Sequence, residues 1–310
     1  MKAKAFSPAG ISSFFSAHLW DSKGELLKDP ELIGSRGGGI VIKKGVITEL
    51  EILPSQKNTI KVFINGKLTP NAHTTRTAIE FVLKEVKQAY NVIIRHHIEV
   101  PMSAGYGTSG AGALSSVMAL NDALELELSK YEIGKIAHIA EVRCQTGLGS
   151  VSGILNGGIV LIVVPGVEGL FNIERIPINP NFAGKVVTAL VSPIKTRGVI
   201  KSYEKLRKIN EYGEITLKLI RENPTIENFF KSCKDFAINS GLMSVLIKKM
   251  TDVAVEAGGC LGATQNMIGD AMHAIVEPDF VTNVIKALGN YVNKEKIIVS
   301  DIDLNGPTLL

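Results

Sequence analysis

Between Pro101 and Ala113 the chain runs PMSAGYGTSGAGA, a stretch of small residues with Thr108 and Ser109 at its centre. Gly105, Gly107 and Gly110 permit positive φ and remove side chains that would keep a ligand from the backbone, so successive amides can converge on one point. If a helix starts near Ser109, its unpaired amino-terminal amides and the positive end of its dipole face the same point, where a phosphate chain could be held. The Thr108 and Ser109 hydroxyls suit a hard cation such as Mg²⁺, which favours oxygen ligands. The plainer alternative is a glycine-rich turn that lets a helix pack tightly, and composition leaves both open.

Three other stretches have residues that could join such chemistry. EAGGCLGATQNMIGDAMHAIV, at 256–276, is a second glycine cluster in the other half of the chain. Two such loops without a Walker or Rossmann context favour a nucleotide held in a cleft between halves. Glu141 and Arg143 precede a third, TGLGSVSGILNGG: the carboxylate could ligate Mg²⁺ and the guanidinium could clamp a carboxylate or phosphate, although a surface ion pair is the default for either alone. Near the amino end, Ser12, Ser13, His18, Ser35 and Arg36 lie among aromatics and glycines, the texture of a small polar pocket. His96 and His97 have no partners at metal-ligand spacing and are expected to serve packing and surface.

The elements that must position these residues follow from periodicity. Strands are expected at 2–8, in a hairpin over 38–53 around Lys44-Gly45, and in another over 59–68 around Asn65-Gly66. A helix over 75–90, a strand over 91–100 and a helix over 109–124 follow, so the small-residue loop feeds a helix amino terminus. Ser129 and Glu132 form a capping box that opens the next helix, and IVLIVVP forms a strand. The Pro-, Asn- and Gly-rich texture of 165–185 marks a boundary between domains at 1–170 and 171–310. The second half reads as a strand at 185–192, helices near 199–222, 225–239 and 241–254, a strand at 271–276, a helix near 278–291 and a strand at 296–303, an α+β sandwich.

With 310 residues, 45% of them apolar, the chain has ample material for a core. Its longest apolar run, GGIVLIVVPG, is far short of the roughly 20 residues a membrane helix needs, and the opening residues carry no apolar signal region; a cytoplasmic protein without membrane contact is expected. Cys144, Cys233 and Cys260 are widely spaced and form neither a disulfide framework nor a zinc motif. The net charge is +4, and the densest basic run, at 202–221, interleaves acidic residues with Leu206, Ile209, Leu217 and Ile220 at helical spacing. That is a solvated helix face rather than a nucleic-acid patch. A homodimer is the expectation from base rates alone.

PMSAGYGTSGA, at 101–111, closely resembles the PxxxGLGSSAA signature of the GHMP small-molecule kinases, and GGCLGA, at 258–263, resembles that superfamily's carboxyl-side glycine motif. Within it, AFSPAGISSFF, GSRGGG and AHIAEVRCQTGLG resemble the archaeal pantoate kinases. The resemblance implies a GHMP-kinase-like two-domain α+β architecture: a ribosomal-S5-like amino-terminal domain, a ferredoxin-like carboxyl-terminal α/β sandwich, and ATP in the cleft. It implies an ATP- and Mg²⁺-dependent kinase acting on the hydroxyl of a small carboxylate, pantoate foremost, with homoserine, shikimate or mevalonate as other acceptors and a catalytically silent ATP-binding regulator as the rival from another class.

Carried over by position, the resemblance places ATP against Pro101, Ser103, Ala104, Gly105, Tyr106, Gly107, Thr108, Ser109, Gly110 and Ala111, with Gly258, Gly259, Gly262 and Ala263 lining the site from the second domain. Ser109 and Glu141 become the Mg²⁺ ligands, Ser13, His18, Ser35, Arg36 and Arg143 the substrate side, and Arg143 and Ser150 the catalytic positions. Ser150 stands where these kinases usually carry an aspartate base, and a serine hydroxyl is far too weak a base to replace it at neutral pH.

Overall fold

Strand β1 (Lys2–His18) and strand β2 (Gly34–Ser55) run antiparallel along their whole length, from the pair Lys2 and Glu51 to the pair His18 and Gly34. The computed structural model describes residues 1–179, 182–192 and 203–310, the side chains of 203–205 excepted. Both strands outlast their sequence signals. Lys44-Gly45 is no turn: β2 passes through it, and the register shifts there between Pro8 and Ala9 of β1. A Cβ on Gly45 would lie 2.1 Å from the Ser7 carbonyl oxygen, so the glycine admits the bulge.

Asn65-Gly66 does turn as expected, with φ of 47° and 80°, between β3 (Thr59–Ile64) and β4 (Lys67–Leu68). The strand β5 (Ala89–Ile98) lies between β2 and β3, antiparallel to the first and parallel to the second. Two short strands, β6 (Ile159–Ile162) and β7 (Ile173–Arg175), extend β2 at its glycine-rich start.

Four helices cover this sheet: α1 (His73–Lys84), α2 (Thr108–Leu124), α3 (Lys130–Cys144) and the two-turn α4 (Ser150–Asn156). The helix α2 is buried from Gly110 to Val117 without a break, which explains its alanines, glycines and serines: larger side chains would hold the sheet and the flanking helices apart. The Ser129–Glu132 capping box opens α3 as the sequence predicts.

The second sheet has the order β11-β8-β10-β9, all antiparallel, from β8 (Lys185–Ser192), β9 (Cys260–Gln265), β10 (Asp270–Val276) and β11 (Ile297–Ser300). With α5 (Tyr203–Glu222), α6 (Ile226–Asn239) and α7 (Val245–Glu256) between β8 and β9, and α8 (Val281–Leu288) between β10 and β11, this is the expected ferredoxin-like α+β sandwich. The expected helix near 199 begins outside the described residues. Strand β9 was hidden in sequence by the glycines that precede and interrupt it.

The halves share a core. Phe14 and Phe15 of β1 meet Phe229 and Phe236 of α6 edge to face, with centroids 6.1–6.4 Å apart. The boundary expected after residue 170 is also crossed twice: β7 still belongs to the first sheet, and β12 (Thr308–Leu309) returns to pair with β1.

Candidate active site

The strand β5 ends at Ile98, and the chain reaches α2 through a loop in which Ser103, Gly105 and Gly107 take φ of 58°, 79° and 60°. This alternation turns successive amides toward a common side. Gly107 caps α2 in the left-handed region, and the helix starts at Thr108, one residue earlier than expected. Pro101, Thr108 and Ser109 are half-buried, Ser103 is exposed, and Ala104, Tyr106, Gly110 and Ala111 are buried. The free amides at the start of α2 and the loop amides therefore form one open cradle with small walls.

Beneath it lies Glu141. It projects from α3, is 1% exposed, and accepts hydrogen bonds from the Gly110 amide and from Ser150 Oγ, the latter at 2.5 Å. Ser150 begins α4, so the amino ends of two helices meet at one carboxylate. The α3–α4 link closes over it: a Cβ on Gly147 would lie 2.6 Å from Glu141 Oε1, and one on Gly149 would lie 2.5 Å from Ser35 Oγ. Burial pushes the carboxyl up to about 7, against the pull of its Ser150 and Gly110 hydrogen bonds. Among the described residues no Lys, Arg or His pairs with it.

The structure thus brings Gly107, Gly110, Glu141, Ser150 and Ser35 to one place. Arg36 follows Ser35 on β2. Its Nε donates to the Val163 carbonyl at 3.2 Å and its NH1 to Glu214 of α5 at 3.1 Å, with roughly a third of the side chain exposed. His18 is half-buried beside this pair; burial first and Arg36 second lower its pKa, and Glu214 opposes them.

Three sets of expected residues lie elsewhere. Arg143 follows Glu141 by two residues, about 200° around α3; it is exposed and rests on the Phe81 ring of α1 at 4.8 Å. Ser13 is fully buried and bonded to His273 Nε2 at 2.9 Å, so its hydroxyl does not face the cradle. Gly259 packs on Phe280 and Gly262 on Phe230, where added Cβ atoms would come within 2.3 Å of those side chains.

What meets the loop from the second half is the β9–β10 turn, with Asn266 at the far end of β9 from Gly259, roughly 20 Å away. Cβ atoms on Gly105 and Gly269 would lie 2.9 Å from Asn266 Cβ and 2.6 Å from the Ala104 carbonyl. Asn266, His273, Thr188 and Glu214 carry no sequence signal as site residues; Asn266, Gly269 and His273 lie in the stretch 256–276 but have no spacing of their own.

Residues 73–158, which contain the loop and all of Glu141, Ser150 and the capped α2, match the family model described as GHMP kinases N terminal domain. A protein named pantoate kinase from Methanocaldococcus jannaschii is 30% identical, covering 92% of this chain and 97% of its own. Its namesake from Methanospirillum hungatei is 31% identical over 88% of this chain and 87% of its own. The chain belongs to the GHMP kinases.

Solved structures show the GHMP kinase fold over the whole chain. A phosphotransferase described as related to the CoA biosynthesis pathway superposes with a TM-score of 0.87 at 22% identity, covering 100% of this chain and 99% of that one. A homoserine kinase from Cytophaga hutchinsonii gives 0.72 at 15% identity, covering 100% and 97%. In this GHMP kinase no helix among the described residues is long and apolar enough to cross a membrane.

Proposed function

We propose that this GHMP kinase transfers the γ-phosphoryl group of ATP to the hydroxyl of pantoate. The observation that carries the reading is the buried Glu141 carboxylate, without a cationic partner among the described residues, set beneath a glycine cradle at the start of α2. A buried carboxylate of that kind fits a cation that arrives with phosphates. The two relatives named pantoate kinase, which cover most of the chain, support the acceptor.

In this reading the amides from Gly105 to Ala111 hold the β- and γ-phosphates, and Ser109 and Glu141 hold Mg²⁺. When bound, Mg²⁺ neutralises charge on the transferring phosphoryl group. Arg36 takes the acceptor's carboxylate, for which its planar guanidinium offers a paired set of donors. Ser150 donates its hydrogen bond to Glu141, so its oxygen lone pairs are left to accept a hydrogen bond from the acceptor hydroxyl and aim it. It does not act as a base. Phosphoryl transfer through a loose transition state relies on positioning and electrostatics, so orientation of the hydroxyl suffices for this role.

The test is an ADP-release assay with ATP and Mg²⁺ against pantoate, homoserine, mevalonate and shikimate. Turnover with pantoate alone is expected. Turnover with another acceptor and not pantoate refutes the substrate, and tight ATP binding without turnover on any acceptor refutes the kinase reading.

A further inference from the structure

A continuous buried hydrogen-bond chain joins both halves to the phosphate loop. Ser13 Oγ lies 2.9 Å from His273 Nε2, His273 Nδ1 lies 2.8 Å from Asn266 Oδ1, and Asn266 Nδ2 donates to the Ala104 carbonyl at 3.3 Å. On the same loop the Tyr106 hydroxyl lies 2.7 Å from Thr188 Oγ1, and Thr188 donates to the Met272 carbonyl at 2.6 Å. Ser13, Asn266, His273 and Thr188 are fully buried, and Tyr106 is nearly so.

Each branch ends on a carbonyl, which can only accept, and that sets the directions along it. Thr188 spends its proton on Met272, so Tyr106 must donate to Thr188. Asn266 gives an amide hydrogen to Ala104, which turns its Oδ1 toward His273 as an acceptor. His273 therefore carries its proton on Nδ1, and Ser13 donates to the bare Nε2. A protonated ring would turn Ser13 into an acceptor and leave its own hydroxyl proton without a partner among the described residues. Burial, which holds the His273 pKa near 3, keeps the ring in that neutral form.

We propose that Ser13, His273 and Asn266 are positioning residues for ATP: through this one-directional chain they hold the Ala104–Tyr106 backbone in the shape that presents its amides to the phosphates. The proposal rests on the reading that this loop holds ATP. It assigns Ser13 to the nucleotide side of the reaction, away from the acceptor. The close seating of Gly105 on Asn266 and Gly269 on Ala104 makes the loop sensitive to Asn266, because a shift of its side chain has no free space to take up.

The experiment compares Ser13→Ala, His273→Gln and His273→Asn by steady-state kinetics with pantoate and by calorimetric titration with ATP and Mg²⁺. Gln reaches toward Ser13 and loses the Nδ1-type donor to Asn266; Asn keeps that donor and loses Ser13. His273→Gln should weaken ATP binding and raise its KM about tenfold, with the pantoate KM within about twofold of the parent. His273→Asn should recover most of that loss, and Ser13→Ala should raise the ATP KM a few-fold because it leaves Nε2 unpaired. Histidine ¹⁵N resonances, assigned through His273→Asn, should show an Nδ1-protonated ring that does not titrate between about pH 5 and 8.

A Ser13→Ala change confined to the pantoate KM overturns the proposal, as does a lowered Tm in all three variants with both KM values unchanged. An Nε2-protonated or titrating ring overturns it as well. If His273→Gln does not fold, the other two variants and the resonance decide. Parent protein that binds ATP, and loses that binding in the variants, but phosphorylates no acceptor refutes the kinase reading and leaves the proposal standing. Parent protein that binds no ATP refutes both.

Discussion

Two glycine-rich stretches of this chain look alike in composition and are used in opposite ways. Both stretches bend through positive φ, at Gly105 and Gly107 and at Gly258 and Gly259, but the first, 105–110, leaves a cradle open above Glu141. In 258–262 the glycines are filled from outside: Phe280 and Phe230 occupy the space where side chains would stand. Glycine in a sequence announces that something approaches the backbone closely. Whether that thing is a ligand or the protein's own aromatic ring depends on what the rest of the fold brings there.

Changes in the first stretch should therefore cost catalysis, and changes in the second should cost stability. The largest effect is expected at the carboxylate on which the first stretch converges: Glu141→Gln should lower kcat about a thousandfold with the fold intact, since a metal contact is worth several kcal/mol to the transition state. Steady-state assay over a Mg²⁺ series checks it, and a parent-like kcat removes the metal role. Next, Gly107→Val forces a branched side chain into φ of 60° with Gly10 and Ser150 about 3 Å away. Loop displacement of about an ångström should reduce kcat/KM for ATP about a hundredfold. By contrast, Gly259→Ala must move the Phe280 ring and place a Cβ at φ of 58°, and should lower Tm by several degrees, at about 1–3 kcal/mol of overpacking with the backbone strain in addition, while the folded enzyme keeps the parent KM for ATP. Equal loss of ATP affinity at Gly259 and Gly107 would erase the contrast. Smallest of all, Arg143→Ala removes an exposed cation–ring contact worth about 0.5–1 kcal/mol and should leave both KM values within about twofold.

Glu141 also has a pH signature that sets it apart from anything in the second stretch. Its folded pKa is raised to about 7 from an ordinary 4.5, so the folded protein binds the proton more tightly than the unfolded chain. Stability then falls as pH rises between those values, and the full penalty is felt above about 7. Measured in chelator, Glu141→Gln should match the parent Tm near pH 4.5 and exceed it by a few degrees near pH 8. An identical pH dependence in the two proteins would show that the carboxyl is not held in a desolvated state.

Much of the local structure was legible. The Asn65-Gly66 turn, the Ser129–Glu132 cap, and the loop feeding α2 each depend on a few neighbouring residues, and all three are present. Lys44-Gly45 misled because a turn signal acts locally, whereas β2 is held straight by β1 on one side and β5 on the other. Arg143 and Glu141 were indistinguishable as nearby charged residues until the helix phase turned one toward Ser150 and the other toward Phe81.

The sequence by itself determined that a glycine-rich loop feeds a helix start and that a carboxylate follows on the next helix, because those features need only local φ, capping and periodicity. The tertiary structure decided which residues stand against them. Ser13 and His273 are separated by 260 residues, and Arg36 and Glu214 by 178; such contacts have no short-range signal. They exist because the helices of the second half pack on β1 and carry the β9–β10 turn onto the loop, which only the shared core can arrange.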